Sequence, residues 1–193
     1  MARMKIFNHR NAPEASRPGL KMLKEGMGKI PDMAGVAAAS PPLVQAMGEL
    51  SGKFLRTSLQ PEECQLVLVA GCREYGNEYA LELSSYMAEE AGLPEHVIEA
   101  IHEQQPGNRP WQDERYNALW VFVAALVAKH GQVGKDDIKA FTKAGFNDTQ
   151  ALEVALGVNV ASLWCQVAGI AELKPERKFR WSKRGGFLGF GQG

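Results

Sequence analysis

The sequence predicts an all-α protein, a bundle of some seven or eight helices built on helix-turn-helix units. Apolar residues recur at three- to four-residue spacing along most of the chain, which is the period of an amphipathic helix. Prolines stand where such segments begin, and glycines stand where they end. Two similar strings, Ala91-Gly92-Leu93-Pro94 and Ala144-Gly145-Phe146-Asn147, mark the turns of two helix-turn-helix units.

The first elements follow from local signals. Residues 1–18 are polar and contain Pro13 and Pro18, which favours an extended arm. A first helix is expected next, since apolar residues recur at helical spacing until Gly28 and Pro31 end it. Ser40-Pro41-Pro42 then opens a second helix, with apolar positions Leu43, Met47, Leu50 and Phe54.

The run from Leu66 to Ala70 is compatible with a buried strand or a buried helix by its pattern alone. Pro61 followed by Glu62 and Glu63 is typical of a helix first turn, because acidic side chains are stabilised at the positive end of the helix dipole. The segment is therefore predicted to be helical.

The second half begins with a loop of polar, Gly and Pro residues at positions 104–110. An apolar helical stripe follows, and Asn147 with Gln150 forms a capping box before the last long helix. That helix, from Leu152 to Ile170, is apolar around most of its circumference, which predicts burial at the centre of the fold or between subunits. The stripe consists of Tyr116, Leu119, Trp120, Val123, Leu126 and Val127.

The net charge and the apolar content of the chain argue against nucleic-acid and membrane partners. The 22 basic and 22 acidic residues cancel, so no overall field attracts nucleic acid or an anionic membrane. The basic residues between Lys174 and Arg184 are interpreted as a solvated end, not as a nucleic-acid site. No apolar stretch reaches the ~18 residues of a membrane span, and three cysteines without a short spacing fit a reducing compartment. A cytoplasmic location without nucleic-acid or membrane partners is expected.

The stretch from Pro61 to Pro94 contains Pro61-Glu62-Glu63-Cys64-Gln65, then Asn77-Glu78-Tyr79-Ala80, and ends in Ala91-Gly92-Leu93-Pro94. In this order it resembles the carboxymuconolactone decarboxylase and alkylhydroperoxidase D superfamily, over roughly Leu43 to Pro175. The resemblance implies one helical domain at 19–182 that forms a homo-oligomer. By composition, the arm at 1–18 precedes it and a Gly-rich tail at 183–193 follows it. The tail is expected to be flexible, the alternative being a segment that docks on a neighbouring subunit.

Members of that superfamily place a Glu twelve residues before a Cys-x-x-Cys, with a His four residues after it. The resemblance puts Gln65 at the Glu position, Asn77 and Ala80 at the two cysteines, and Ser84 at the His. These four residues are expected to line the pocket of the superfamily, where they replace its redox-active side chains. Tyr79 stands just before the second cysteine position.

Acid-base chemistry has three candidate residues, Glu78, Tyr79 and Glu82. Glu74, Glu78 and Glu82 are spaced by four residues, which predicts one helix face on which crowded carboxylates raise one another's pKa. A carboxyl with a raised pKa can serve as a general acid or base. The alternative is a solvated face, or a subunit contact with Arg73 or Arg109.

The other reactive side chains give weaker indications. Cys64 and Cys72 are about 12 Å apart on one helix, too far for a disulfide, and Cys165 fits a core position better than a reactive thiol. No histidine spacing indicates zinc or di-iron, and His102 is the one histidine considered for catalysis. No phosphate-binding loop is present, so neither a metal nor an organic cofactor is expected.

Three functions stay open. The first is a cofactor-free acid-base enzyme, similar to carboxymuconolactone decarboxylase, that acts on a small organic acid or lactone. The second is a non-catalytic oligomeric scaffold that binds a small-molecule ligand. The third, ranked lower because its redox residues are replaced, is a peroxidase of the alkylhydroperoxidase D type.

Overall fold

The computed structural model describes residues 2–108 and 111–181, and every regular element within them is helical. The predicted tail at 183–193 and Arg109 lie outside the described residues. Nine α-helices occur in the described part, which confirms the all-α class. They are α1 (Arg17–Met27), α2 (Asp32–Ala37), α3 (Pro41–Phe54), α4 (Pro61–Glu74), α5 (Glu78–Glu90), α6 (Glu95–Glu103), α7 (Glu114–Ala128), α8 (Lys135–Lys143) and α9 (Asp148–Ile170).

Helix α4 is the centre of the bundle and packs against α5, α7 and α9. Every residue from Glu63 to Cys72 is buried, so the Leu66 to Ala70 run is a helix enclosed on all sides. Its first turn is closed by Glu63, whose Oε2 accepts from the Gln60 backbone N–H at 2.9 Å. Glu63 Oε1 also accepts from Arg115 Nη2 at 2.8 Å, which ties α4 to α7.

Two glycines allow α3, α4 and α9 to pack closely. A Cβ atom at Gly157 of α9 would lie 2.4 Å from the Phe54 ring and 2.7 Å from the Val67 side chain. A Cβ atom at Gly71 of α4 would lie 2.8 Å from the Ala161 side chain. Separations this short exceed what side chains tolerate, so glycine at both positions permits the helix contact on which the core depends.

The two predicted helix-turn-helix units are α5–α6 and α8–α9. Gly92 takes the left-handed conformation between the first pair and Gly145 between the second, at φ +88° and +91°. Asn147 and Gln150 form the predicted capping box, with reciprocal bonds of 3.1 and 2.9 Å. The helix break at Gly76 separates Glu74 from Glu78, so the prediction of three carboxylates on one helix face is wrong.

A short helix that the sequence patterns did not indicate, α2, fills the gap between the first two predicted helices. It spans six residues, too few for a period to be recognised, and its residues from Met33 to Ala37 are all buried. The N-terminal arm pairs with it, since the Phe7 N–H donates to the Gly35 carbonyl at 3.1 Å.

After α9 the chain returns across the bundle as a strap, defined here as residues 174–181. Phe179 of the strap packs edge-on against Tyr86 of α5, with ring centroids 5.4 Å apart. Trp181 stacks on His102 of α6 at 4.8 Å. The strap therefore covers one side of α5, the helix that carries most of the predicted site residues.

Helix α9 is, among the described residues, the one helix long and apolar enough to cross a membrane by length and composition. Half of its most apolar stretch is buried inside the bundle. A core helix passes the same test, so the finding does not identify a membrane protein.

Candidate functional site

Asn77, at the first cysteine position of the family motif, is the N-cap of α5. Its Oδ1 accepts from the Ala80 N–H at 2.9 Å, and its Nδ2 donates to the Cys165 carbonyl at 3.2 Å. The side chain thus satisfies a free helix donor and links α5 to α9. Ala80, at the second cysteine position, is fully buried one turn later.

Ser84, at the histidine position, faces the thiol of Cys72 and donates to the Leu81 carbonyl at 3.0 Å. The thiol of Cys72 on α4 neighbours that of Cys165 on α9. Its interaction with the Cys165 side chain, followed by burial, raises the pKa of Cys72 well above its usual range. A thiol with a raised pKa stays protonated, so this thiol pair does not reproduce the activated thiolate of a Cys-x-x-Cys.

The Cys72 and Cys165 pair is a feature that sequence reasoning missed. Their separation along the chain gave no signal, because only the packing of α4 on α9 brings them together. The prediction that Cys165 occupies the core agrees with its burial, and all three cysteines are free and buried. Burial also raises the pKa of Cys64.

Tyr79 is buried under the strap and belongs to a hydrogen-bonded group that joins three elements: α5, α2 and the strap. Its hydroxyl donates to Glu176 Oε1 at 2.5 Å and accepts from the Met33 N–H at 3.0 Å. Glu176 also accepts from the Asp32 N–H at 2.7 Å and pairs with Lys178 at 2.8 Å. The group therefore caps the start of α2 and fixes the strap against α5.

The titration of this group follows from its surroundings. Burial, and then the hydrogen bond to Glu176, raises the pKa of Tyr79 far above its ordinary value. Burial and the neighbouring Glu176 carboxylate raise the pKa of Asp32, although Lys178 opposes the effect. Tyr79 is thus a neutral hydrogen-bond donor at physiological pH and not a base.

Glu78 and Glu82 occupy different environments despite their spacing of four residues. Glu78 is the exposed first residue of α5, whereas Glu82 is only 3% exposed. Glu74, at the end of α4, pairs with Arg73 at 3.0 Å. The structure does not bring the three carboxylates together as one catalytic face.

His102 contacts a serine that the sequence patterns did not indicate. Its Nε2 lies 2.8 Å from the Oγ of Ser85, a fully buried residue of α5. The pair ties α6 to α5 beneath Trp181 of the strap. Within residues 2–108 and 111–181, no group of three His, Cys, Asp or Glu side chains could hold a metal ion.

Gln65, at the family's Glu position, lies on α4 about 14 Å along the helix from its end and therefore away from Asn77. It lines an open cleft of about 560 Å³ between α1, α4 and α5. Gly26, Met27 and Met87 line this cleft and also an inner chamber. The cleft therefore adjoins the chamber, and the two share part of their walls.

The inner chamber is small and apolar. Its volume is about 50 Å³, the space of a few water molecules or of a short apolar group. Helices α1, α3, α4, α5 and α9 all contribute to its wall. The largest apolar side chains that line it are Leu23, Met27, Phe54, Leu68, Met87 and Trp164.

Three polar atoms of this site have no hydrogen-bond partner in the described part of the chain. They are Ser51 Oγ and Trp164 Nε1 in the chamber and Gln65 Oε1 in the cleft. The residues that carry them are 8%, 1% and 7% exposed. Buried polar groups in proteins are nearly always paired, so three at one cavity indicate a place for a ligand or ordered water.

Comparison with solved structures defines the class of fold. A peroxidase-related protein of Ralstonia eutropha with an alkylhydroperoxidase D core is 16% identical, at a TM-score of 0.76 over 92% of this chain and 94% of that one. A peroxidase-related protein of a Silicibacter species is 15% identical, at 0.74 over 88% of both chains. This chain therefore has the alkylhydroperoxidase D-like helical fold, as the resemblance implied.

A third similar structure is the debrominase Bmp8, as a cysteine-to-alanine variant in complex with 2,3,4-tribromopyrrole. It is 15% identical to this chain, at a TM-score of 0.76 over 90% of this chain and 91% of its own. No family model matches the sequence, and no curated protein matches it either. At these identities the likeness establishes the fold and leaves the activity to the site itself.

Proposed function

We propose that this protein binds a small amphipathic molecule in the adjoining chamber and cleft, on an alkylhydroperoxidase D-like scaffold without thiol redox chemistry. One observation carries the proposal. Ser51 and Trp164 line the apolar chamber, Gln65 lines the adjoining cleft, and each carries a buried polar atom without a partner in the described part of the chain. Small-molecule sites are typically apolar cavities with a few polar groups that fix orientation.

The lining defines the ligand. A short apolar group, such as a small alkyl group, fits the chamber between Leu68 and Trp164. The Trp164 N–H requires an acceptor, and the Gln65 carbonyl oxygen requires a donor. An alcohol, amide or protonated acid on a short apolar body supplies both. Another protein of similar fold, the debrominase Bmp8, forms a complex with the small molecule 2,3,4-tribromopyrrole.

The replaced redox positions support a binding role over a peroxidase. Asn77 and Ser84 make structural hydrogen bonds, and the Cys72 thiol has a raised pKa. Peroxide consumption with a dithiol reductant is expected to be absent, both in the native chain and after replacement of all three cysteines by serine. Turnover lost on that replacement would establish a thiol peroxidase instead.

Gly26 allows a clean test of the cavity. It lines both the chamber and the cleft, and a Cβ atom there would meet nothing within 4 Å. Gly26→Phe should therefore fill the opening without a backbone clash, whereas Gly26→Ala should leave it open and serve as the matched control. Binding of short alcohols, amides and carboxylic acids is followed by thermal shift and tryptophan fluorescence.

The expected result is a subset of compounds that binds the native chain and Gly26→Ala but not Gly26→Phe. Gln65→Leu should weaken the binders that carry a donor about tenfold, the value of one hydrogen bond. Binding that Gly26→Phe does not reduce would place the ligand elsewhere and refute the proposal.

A cofactor-free acid-base enzyme remains the second candidate because Glu82 is a buried carboxyl on the helix next to the cleft. On that hypothesis Glu82 and Glu78 transfer protons to and from a small acid or lactone. Replacing both glutamates by glutamine should then abolish turnover of such a substrate while the fold is kept. Unchanged turnover would eliminate this assignment.

For either function we propose a reducing, cytoplasmic location, in keeping with three free cysteines.

A further inference from the structure

Methionine is concentrated around the inner chamber. Three of the seven methionines in the chain, Met22, Met27 and Met87, line this one small cavity. Met22 and Met27 lie on α1 and Met87 lies on α5, so the thioethers approach the chamber from two helices. Met27 and Met87 also line the cleft, which places them where the chamber and the cleft adjoin.

The three thioethers differ in their access to solvent. Met22 is 40% exposed, Met27 is half-buried and Met87 is 8% exposed. The Met22 side chain lies over Gly48 of α3, with its Cε 3.7 Å from the position that a Cβ atom would take there. It forms an outer wall of the chamber. A solute can therefore reach Met22 from solvent, although the same side chain also borders the cavity.

Two hydrogen-bond donors of the chamber lack an acceptor in the described part of the chain. They are the hydroxyl of Ser51 and the indole N–H of Trp164. A thioether is only a weak acceptor, whereas a methionine sulfoxide carries a polar S=O oxygen. A cavity of about 50 Å³ holds only a few atoms, so a sulfoxide oxygen that enters it comes close to these donors.

We propose that Met22 and Met27 form an oxidation site that closes the chamber. A peroxide converts them to sulfoxides, and a sulfoxide oxygen takes the place of the ligand at Ser51 and Trp164. The three rotatable bonds of a methionine allow its side chain to turn inward. In the reaction a sulfur lone pair attacks one peroxide oxygen, the O–O bond breaks and the S=O bond forms. The sulfur loses two electrons, and the second oxygen of hydrogen peroxide leaves as water.

The inference rests on the proposed ligand-binding function, because it assigns a regulation to the same cavity. The chemistry is stoichiometric and is not a peroxidase activity. Each thioether accepts one oxygen atom and stays oxidised until a methionine sulfoxide reductase restores it. Oxidation therefore turns ligand binding off reversibly.

The order in which the methionines are oxidised tests the site. The full chain is treated with hydrogen peroxide and then with dithiothreitol, which returns cysteine disulfides to thiols but leaves methionine sulfoxides. Peptide mass spectrometry should find Met22 oxidised about as fast as Met4, an exposed residue of the N-terminal arm, and Met27 more slowly. Met33 and Met47, both 0% exposed, should stay unchanged. A Met22 that stays reduced while Met4 is oxidised overturns the proposal.

Closure of the chamber has a readout that needs no ligand. The indole N–H of Trp164 gives a signal in a ¹H–¹⁵N spectrum, and Trp164→Phe identifies it. Oxidation should move this signal downfield in the native chain, because the N–H gains an acceptor. It should not move in the double variant Met22→Leu with Met27→Leu, since leucine is apolar, similar in size and not oxidised. An equal shift in the double variant contradicts the assignment to these two methionines.

Ligand binding is measured with isobutyramide, an amide on a short apolar body, before and after oxidation of each protein. Oxidation should weaken binding by the native chain about tenfold or more, the value of at least one hydrogen bond. The double variant should keep the affinity of its own unoxidised form. Met4→Leu is the matched control, because Met4 lies outside the chamber, and it should stay as sensitive to oxidation as the native chain.

The two proposals fail in different ways. A native chain that still binds isobutyramide equally well when Met22 and Met27 are oxidised overturns the oxidation site and leaves the binding function intact. A chain that binds no short alcohol, amide or acid before oxidation refutes the binding function instead. In that case the Trp164 signal still decides whether oxidation at these methionines closes the chamber.

Discussion

The hydroxyl of Tyr79 should act as a structural clamp between α5, the start of α2 and the strap, and Tyr79→Phe isolates its contribution. The substitution keeps the ring and removes one oxygen. It takes away the bond to the Glu176 carboxylate and leaves the buried Met33 N–H without its acceptor.

The expected loss follows from these two bonds. A hydrogen bond to a charged group contributes about 1.5 to 3 kcal/mol to stability, and one between neutral groups about 0.5 to 1.5 kcal/mol. The variant no longer has to bury a polar hydroxyl, and this gain offsets part of the total loss. The free energy of unfolding should fall by about 2 to 3 kcal/mol. In a chain of 193 residues this corresponds to a decrease in Tm of about 5 to 10 °C.

The assay is urea unfolding followed by circular dichroism, with Tyr86→Phe as the matched control. Tyr86 lies on the same helix, packs against Phe179 of the strap, and its hydroxyl makes no hydrogen bond within the described residues. Its variant should lose less than about 0.5 kcal/mol. A double-mutant cycle with Glu176→Gln should give a coupling energy of about 1 kcal/mol or more. Equal losses for the two tyrosine variants would refute the clamp.

Three further outcomes are expected. Gly157→Ala places a Cβ atom 2.4 Å from the Phe54 ring and should lower the free energy of unfolding by about 1 to 3 kcal/mol in urea titrations. Asn77→Ala removes the α5 cap bond and should cost about 1 kcal/mol, whereas Asn77→Asp, which keeps an acceptor, should restore most of it. The pKa of Asp32 is raised in the folded protein, so its ionised form destabilises the fold. Asp32→Asn should therefore raise the Tm at pH 7, and this gain should shrink as the pH falls through the raised pKa and vanish below the ordinary pKa of an aspartate. A gain that persists in acid would contradict this reasoning.

The parts of the fold that were predicted correctly depend on signals local to the chain. Pro61 with two glutamates identified the start of α4, and Asn147 with Gln150 identified the start of α9. The prediction of one carboxylate face failed because a helical spacing was continued across a position where the helix ends. The four-residue spacing of Glu74 and Glu78 continues through Gly76, which ends the helix between them.

The candidate site was predictable only in part. The resemblance directed attention to Gln65, Asn77, Ala80 and Ser84, and the structure locates them at two separated places, Gln65 in the cleft and the others near the α4–α5 turn. Their proposed roles stay predictions. Ser51 and Trp164 gave no signal, because a hydroxyl or indole is recognisable as unpaired only when its surroundings are known.

The sequence by itself determined the helical class, the boundaries of most helices and the absence of a Cys-x-x-Cys, because period, caps and residue identity are properties of neighbouring positions. The tertiary structure alone decided that Cys72 meets Cys165, that Glu176 bonds Tyr79, and that Leu152 and Ile170 of α9 stay exposed within the described part of the chain. These are contacts between distant segments, and helix packing in three dimensions sets them.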